Sequence, residues 1–354
     1  MCDFSCYGGA SDEWLALEAS LPPPPLGQSV EEKRRAVNAS REQAAAEAME
    51  VLGRWVRTQD HSIPTRDGSS IEARSYRPLD RDASDPLPVY IHLHGGGFLF
   101  GTLASEDATC ARISLNARVV VINVNYRHTP EHHYPTAWND VEDAFEWLHD
   151  NIQAVGGDAA RVVVGGISAG AQLTASLVLG KHLGRVAASR PAIAGQVLMI
   201  PALVNMDCYE PQMRKMKDPS ISSYEENKDA PILPVSMCRF FTELLKIDKS
   251  ELNPENLKLN PGNATPEQVK GLPPTVFGIA GLDPLRDEGL LYAKMLTESG
   301  VPTDVHLFKG VPHGFRRFGE KLSASEKWDE VMENGIRWAL WSHTEIPAFK
   351  VHTW

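Results

Sequence analysis

Long apolar runs are missing from this sequence. No stretch of its 354 residues approaches the apolar length that spans a bilayer. Met1 to Ser20 carries Asp3, Asp12, Glu13 and Glu18 and lacks an apolar centre, so a secretory signal is not expected. Cysteine is scarce: Cys2, Cys6, Cys110, Cys208 and Cys238 are an odd number without framework spacing, the usage expected where thiols stay reduced. A cytoplasmic location follows as the expectation. Asn38-Ala39-Ser40 and Asn263-Ala264-Thr265 match the glycosylation sequon, but without a secretory signal they read as chance. Basic residues are also in deficit, with 35 Lys and Arg against 46 Asp and Glu, a net charge of -11 and no basic stripe. Phosphate binding needs clustered cations, so a nucleic-acid partner is excluded, and an anionic substrate would meet mild long-range repulsion. The twelve His include His132-His133 and the alternate pair His92 and His94, yet no His-Glu-x-x-His or Cys-x-x-Cys spacing occurs, so neither a metal nor another cofactor is expected.

What is present is ordinary globular material, 42% hydrophobic and 23% charged, enough to bury a sizeable core. Residues before about Gln59 stand apart: a Pro22 to Pro25 run reads as a stiff entry, and the charged, Ala-rich Ser29 to Val56 as one or two helices. From His61 onward, short β-branched runs alternate with helical patterns. The runs are Ile71 to Arg77, Val89 to Leu93, Val119 to Val124, Val162 to Gly165, Gly195 to Ile200, Thr275 to Ile279 and Thr303 to Phe308. Between them, Trp138, Val141, Ala144, Phe145 and Leu148 recur at helical spacing, as do Leu290, Ala293, Leu296 and Val331, Ile336, Trp338. Such alternation predicts an α/β fold with a mostly parallel sheet covered by helices on both faces. Between Val204 and Glu251 the pattern breaks into a Met-, Pro- and charge-rich stretch, an insertion of the kind that forms lids or binding loops. There is no internal repeat and no second sheet.

Two glycine-rich segments follow strands. Gly166-Ile167-Ser168-Ala169-Gly170 lies between the run Val162 to Gly165 and an apolar helix expected near Ala171. A nucleophile on a tight strand-to-helix turn needs small neighbours, because the backbone there is crowded and strained. The plain alternative is a glycine-rich turn whose serine caps the helix. His94-Gly95-Gly96-Gly97-Phe98 follows Val89 to Leu93 and exposes consecutive backbone N–H groups, suited to a developing oxyanion. A flexible loop or a phosphate cradle would look similar, although the P-loop lysine and the dinucleotide fingerprint are missing. His313 lies just beyond the run Thr303 to Phe308 and Asp283 just beyond Thr275 to Ile279, so both share the carboxyl edge of the sheet with Ser168. The order Ser168, Asp283, His313 suits a serine nucleophile, its base and the acid that orients the base. Asp287 is the rival acid, but it sits where Asp and Glu charge a helix start, and Asp283 is preferred.

From Ile71 to Trp341 these segments resemble the hormone-sensitive-lipase-like carboxylesterases, a group that includes arylacetamide deacetylases and, as a non-enzymatic branch, plant gibberellin receptors. The resemblance rests on His94 to Phe98, Tyr126 to Pro135, the turn at Ser168, Asp283 to Gly289 and His313-Gly314-Phe315, in the family's order. It implies an α/β-hydrolase fold with an eight-stranded, mostly parallel sheet and a helical cap. It also implies a triad of Ser168, Asp283 and His313, and oxyanion donors from the N–H groups of Gly96, Gly97 and Ala169. The cap would comprise residues 1–59 and 204–251, and the core 60–203 and 252–354. Tyr126 to Pro135 would be scaffold. The chain departs from the family at Ile167, where Asp or Thr is usual, and at Ala171, where glycine is common. Neither side chain is needed for acyl transfer.

The expected activity is cleavage of small to medium carboxylic esters through an acyl-enzyme, with a small-molecule ester as partner and neither membrane nor nucleic acid. Acyl transfer to another acceptor, or lactone opening, would use the same triad. A ligand receptor that lost the chemistry is the reading from another class; in that branch the triad histidine is expected to be replaced, whereas His313 is present. Met206, Met213, Met216, Tyr224, Met237, Phe240 and Phe241 would either line an apolar pocket or pack the cap. A homodimer is compatible with this reading, and the sequence leaves the oligomeric state open.

Overall fold

Along the central strands nearly every residue is apolar, and successive side chains serve opposite faces of one sheet. Val89, Ile91, Leu93, Val162, Val164 and Leu198 pack into one core cluster, while Tyr90, Val163, Val197 and Met199 pack into another. The computed structural model describes residues 1–22, 27–81, 85–341 and 348–354. Beyond Pro22, the Pro22 to Pro25 run lies outside them.

The strands are β1 (Val56–Pro64), β2 (Ser70–Pro78), β3 (Leu87–Leu93), β4 (Val120–Asn125), β5 (Gly157–Ile167), β6 (Gly195–Met199), β7 (Thr275–Leu282), β8 (Thr303–Pro312) and β9 (Val351–Thr353). They form one sheet in the order β1-β2-β4-β3-β5-β6-β7-β8-β9. β1 and β2 pair antiparallel, as do β2 and β4, and every other pair is parallel. The helices are α1 (Asp12–Glu18), α2 (Val30–Leu52), α3 (Leu103–Ala117), α4 (Thr136–Asp150), α5 (Ala169–His182), α6 (Glu210–Met213), α7 (Ser223–Glu226), α8 (Val235–Leu244), α9 (Pro266–Val269), α10 (Arg286–Glu298) and α11 (Ser323–Ala339). Phe145 of α4, Val178 of α5 and Leu290 of α10 cover one face; Ile113 of α3 with Trp328 and Met332 of α11 cover the other. Among the described residues no helix is long and apolar enough to cross a membrane.

All seven strands expected from β-branched runs are present. The sheet has nine strands rather than eight, and the two not located from sequence have clear reasons for being hard to see. β1 lies at an edge and buries only Val56 and Ile63, with polar residues between, so its composition carries no apolar alternation. Its first four residues, Val56 to Gln59, also fall inside the segment 1–59 expected to belong to the cap. β9 has only three residues. Ser29 to Val56 contains one helix, α2, which Ser29 and Glu32 start with reciprocal side-chain-to-backbone hydrogen bonds.

The N-terminal segment reaches the functional edge of the sheet. Ser11 donates from its N–H to Gly310 O at 3.0 Å and from its hydroxyl to the same oxygen at 3.1 Å, fixing α1 to the end of β8, which leads to His313. Trp14 of α1 is 1% exposed and packs on Phe318, with ring centroids 5.5 Å apart. Replacing Trp14 with Ala removes a buried aromatic side chain and leaves a cavity. The expected cost is about 3–5 kcal/mol in urea unfolding followed by circular dichroism; a cost below about 1 kcal/mol would mean that α1 is not docked in solution.

Candidate active site

At the end of β5 the chain must turn from strand to helix in almost no space. A Cβ built on Gly166 would lie 2.4 Å from the Gly170 backbone, and one built on Gly170 would lie 2.0 Å from Leu93 O and 2.6 Å from His94 O. Only glycine permits that approach. Between them Ser168 adopts φ 55° and ψ -116°, a conformation L-residues rarely hold, and α5 starts at Ala169 rather than near Ala171. The Ser168 N–H donates to Met199 O at 2.8 Å, which ties the turn to β6. The hydroxyl is therefore free to point off the sheet edge, at a helix N-terminus where the dipole favours negative charge.

His94 to Phe98 continues from β3 beside this turn. Gly96 and Gly97 have φ of 142° and 61°. Among the described residues, the N–H groups of Gly96, Gly97 and Ala169 have no protein acceptor. The loop is nevertheless held on all sides. Tyr126 donates to His94 O at 2.7 Å, and its ring stacks on the His94 imidazole at 4.4 Å. The Thr129 N–H donates to Phe98 O at 2.8 Å, and Arg41 of α2 donates to Gly95 O at 3.2 Å. His94 Nδ1 lies 3.2 Å from Gly95 O, an arrangement that suits a proton on that nitrogen. Burial first, and then nearby His128, push the His94 pKa down to about 3, so the ring is neutral at working pH. Two residues earlier, His92 Nε2 meets the buried Glu106 carboxylate at 3.0 Å.

The structure brings Ser168, His313 and Asp283 together from three strand ends. His313 Nε2 is 2.9 Å from Ser168 Oγ, and His313 Nδ1 is 2.7 Å from Asp283 Oδ2. Asp283 is 1% exposed and its other oxygen accepts the Leu285 N–H at 2.9 Å, so both oxygens are committed. Asp287 is engaged elsewhere: it accepts from the Ser223 N–H at 2.7 Å and from Arg286 Nε at 2.8 Å, joining α7 to α10. This geometry separates the two acids that sequence order left as rivals.

Of the apolar residues between Val204 and Glu251, Phe241 of α8 comes closest to the loop. Its ring covers Gly97, so that a Cβ there would be 2.5 Å from ring carbons, and it meets Phe100 edge-on at 5.9 Å. Phe240 turns toward α2, under the Lys33 ammonium at 5.6 Å. Met216 is buried in the main core, while Met206, Tyr224 and Met237 pack around Leu233, Cys238 and Leu285. Phe241 is among the residues expected to line a pocket or pack the cap, whereas the places of Arg41 and Glu106 beside the loop have no signal in the sequence. They depend on tertiary approach between distant segments, and no local spacing signals it.

Comparison with known proteins agrees with this architecture. An esterase of Mycobacterium tuberculosis, LipI, is 34% identical over 246 residues, which is 69% of this chain and 71% of that protein. The ethyl acetate hydrolase of Pseudomonas putida is 30% identical, over 76% of this chain and 78% of its own. The crystal structure of a vibralactone cyclase superposes with a TM-score of 0.83 at 25% identity, covering 96% of this chain and 97% of the other. The sequence profile described as the alpha/beta hydrolase fold matches residues 90–317, and with it the protein is identified as a member of the α/β-hydrolase family, an ester hydrolase by its relatives.

Proposed function

We propose that the protein is a serine carboxylesterase in which Ser168 attacks the ester carbonyl, His313 takes the hydroxyl proton and Asp283 holds the imidazole in the required tautomer. The observation that carries this reading is His313 bridging Ser168 Oγ at 2.9 Å and Asp283 Oδ2 at 2.7 Å. On attack, the carbonyl oxygen becomes an oxyanion and accepts from the N–H groups of Gly96, Gly97 and Ala169, each such donor lowering the barrier by roughly 3 kcal/mol. His313 then passes its proton to the departing alcohol, leaving Ser168 acylated. Water, deprotonated by His313, repeats the attack and releases the acid.

Residues 1–59 and 204–251 are proposed as the cap over this edge. The contacts of Arg41 with Gly95, of Asn38 with Gly101 at 2.9 Å and of Phe241 with Gly97 support that division, with the sheet beginning at Val56. A side chain as large as Phe241 beside the oxyanion loop favours small to medium acyl groups. A cytoplasmic location is proposed from the five unpaired cysteines.

A second reading keeps the same acyl-enzyme and changes its acceptor, and likeness to a cyclase structure favours it. An ester bearing a hydroxyl on its acyl chain separates the two: hydrolysis gives the hydroxy acid, whereas transfer within the acyl group gives the lactone. The expected product is the hydroxy acid, read by chromatography; lactone as the main product would establish the second reading. Purified protein should release nitrophenol from short-chain nitrophenyl esters and be labelled by a fluorophosphonate. Ser168→Ala should lose the label and about 10⁴-fold or more in kcat. Comparable turnover by the two proteins would refute Ser168 as nucleophile.

Behind Asp283 lies Glu288, 1% exposed, which accepts from the Leu203 N–H. Burial pushes its carboxyl well above the usual range and nearby Asp283 adds to this, while the Leu203 N–H pulls the other way. The fold thus favours the protonated form of Glu288 relative to the unfolded chain. Above about pH 4.3 the unfolded chain gives up that proton while the fold retains it, so this group costs stability increasingly as pH rises toward its folded pKa. Glu288→Gln keeps an oxygen for Leu203 and carries no proton to lose. Its unfolding midpoint relative to the wild type should therefore climb with pH above about 4.3, measured in urea across the pH range. A constant difference would mean that Glu288 is ionised in the folded state.

A further inference from the structure

A peptide unit is planar and trans, so its carbonyl and its N–H point in opposite directions, and holding one aims the other. Each N–H proposed to meet the oxyanion is therefore aimed by whatever holds the carbonyl of the preceding residue. Behind Ala169 that carbonyl is Ser168 O, which accepts from the Ala171 N–H at 2.9 Å and the Gln172 N–H at 3.1 Å. Behind Gly97 it is Gly96 O, which accepts from the Leu99 N–H at 3.1 Å and the Phe100 N–H at 3.0 Å. Behind Gly96 it is Gly95 O, and among the described residues no backbone N–H reaches it. Side chains take that place: His94 Nδ1 and Arg41 Nη1, each at 3.2 Å.

This peptide is also the one that most needs holding. It joins two glycines, neither with a Cβ to hinder its rotation, and Gly96 stands at φ 142°. His94 belongs to the same loop and moves with it. Arg41 comes from α2, 54 residues before Gly95, and α2 is tied to the loop beside that contact. Asn38 Oδ1 accepts the Gly101 N–H at 2.9 Å, and the Thr102 hydroxyl donates to Glu42 at 2.7 Å. Asn38, Arg41 and Glu42 are spaced i, i+3 and i+4, so they share one face of the helix. Among the described residues Arg41 forms no ion pair, and Gly95 O is the acceptor it uses. A cationic donor on a carbonyl oxygen polarises the whole peptide and makes the N–H at its other end a stronger donor.

We propose that Arg41 is a positioning residue for ester cleavage: its hydrogen bond to Gly95 O stops the peptide joining Gly95 to Gly96 from rotating and polarises it, so that the Gly96 N–H is aimed at the oxyanion before substrate arrives. Arg41 acts through that peptide and not on the reacting atoms. The effect belongs to the transition state, because negative charge on the carbonyl oxygen develops only as Ser168 attacks, and a donor fixed in advance contributes most at that point. Losing the contact leaves the Gly96 N–H in the chain but free to turn away, a milder defect than deleting it. Acylation and deacylation both pass through an oxyanion, so whichever is slower reports the defect.

The inference rests on the ester-hydrolase reading, which wild-type turnover of nitrophenyl butyrate and fluorophosphonate labelling of Ser168 check independently. In Arg41→Met, kcat should fall about 10- to 50-fold, against the roughly 10²- to 10³-fold of a lost donor, with KM within about twofold of the wild type. A trifluoromethyl ketone, whose carbonyl Ser168 attacks to give a lasting tetrahedral oxyanion, should show an inhibition constant raised by a similar factor. Arg41→Lys still offers an N–H to Gly95 O and should recover at least about half of the loss on a logarithmic scale. Arg34→Met removes a different tie of α2, the paired hydrogen bonds to Glu131 at 2.6 and 2.7 Å, and should leave kcat within about twofold. Unchanged kcat in folded Arg41→Met overturns the proposal. So does a loss confined to KM, an equal loss in Arg34→Met, or an Arg41→Lys no better than Arg41→Met. Should Arg41→Met not fold, Arg41→Ala carries the same expectations and the same refutations. The esterase reading survives each of these results, whereas a wild type with neither turnover nor label overturns both.

Discussion

The site depends on one contact of backbone against backbone. Gly170, in the first turn of α5, lies so close to the end of β3 that a single added carbon would overlap Leu93 O. Because α5 sits on β3 in this way, the serine turn and the loop after β3 are held against one another. The strained φ of 55° at Ser168 costs on the order of 1–3 kcal/mol and persists because both flanking segments are over-determined, β5 by pairing with β3 and β6, α5 by burial of nearly every residue. The two halves of the site, serine turn and donor loop, are thereby a single rigid object to which His313 and Asp283 are added.

The donor loop would not be rigid on its own. Three successive glycines have more backbone freedom than any other sequence, and ordering them costs entropy. A set of buried polar side chains opposes this: Tyr126 on His94 O, Thr129 on Phe98 O, and the neutral ring of His94 beside Gly95 O. Burying polar groups without partners would be costly, and in this set each invoked contact satisfies a loop carbonyl while leaving the loop N–H groups unpaired. The asymmetry is chemically directed. The carbonyls of His94, Gly95 and Phe98 are tied back toward protein donors, while among the described residues the N–H groups of Gly96 and Gly97 have no protein acceptor.

How much of this was legible in sequence follows from what each feature requires. The glycines around Ser168 were legible because a steric limit leaves little alternative at those positions, and the central strands because they are buried on both faces. β1 was not, since an edge strand burying only Val56 and Ile63 has no apolar pattern to read. Sequence order offered both Asp283 and Asp287 for one place; distance distinguishes them, because Asp287 already serves Ser223 and Arg286. The burial state of Glu288 and the approach of Arg41 to the donor loop had no local signal at all. Each arises where segments far apart in the chain meet, and a carboxyl that will be buried looks in sequence like one that will face water.

The segments that meet over the site are also held differently from the core. α2 buries little besides Ala45, so packing contributes little to its position; discrete polar contacts at Asn38, Arg41 and Glu42 fix it to the donor loop and the start of α3. α8 buries Cys238 and is bounded by Ile232 and Lys246, both at positive φ, a conformation costly for any side chain and most of all for a β-branched one. Elements with few buried apolar contacts open at lower free energy than the sheet they cover. The contacts of Ser168, His313 and Asp283 thus reside on strand ends of a buried sheet, while α2 and α8 are elements that can yield without disturbing them. Changes in α2 or α8 accordingly leave the approach of His313 to Ser168, set by the ends of β5 and β8, the same.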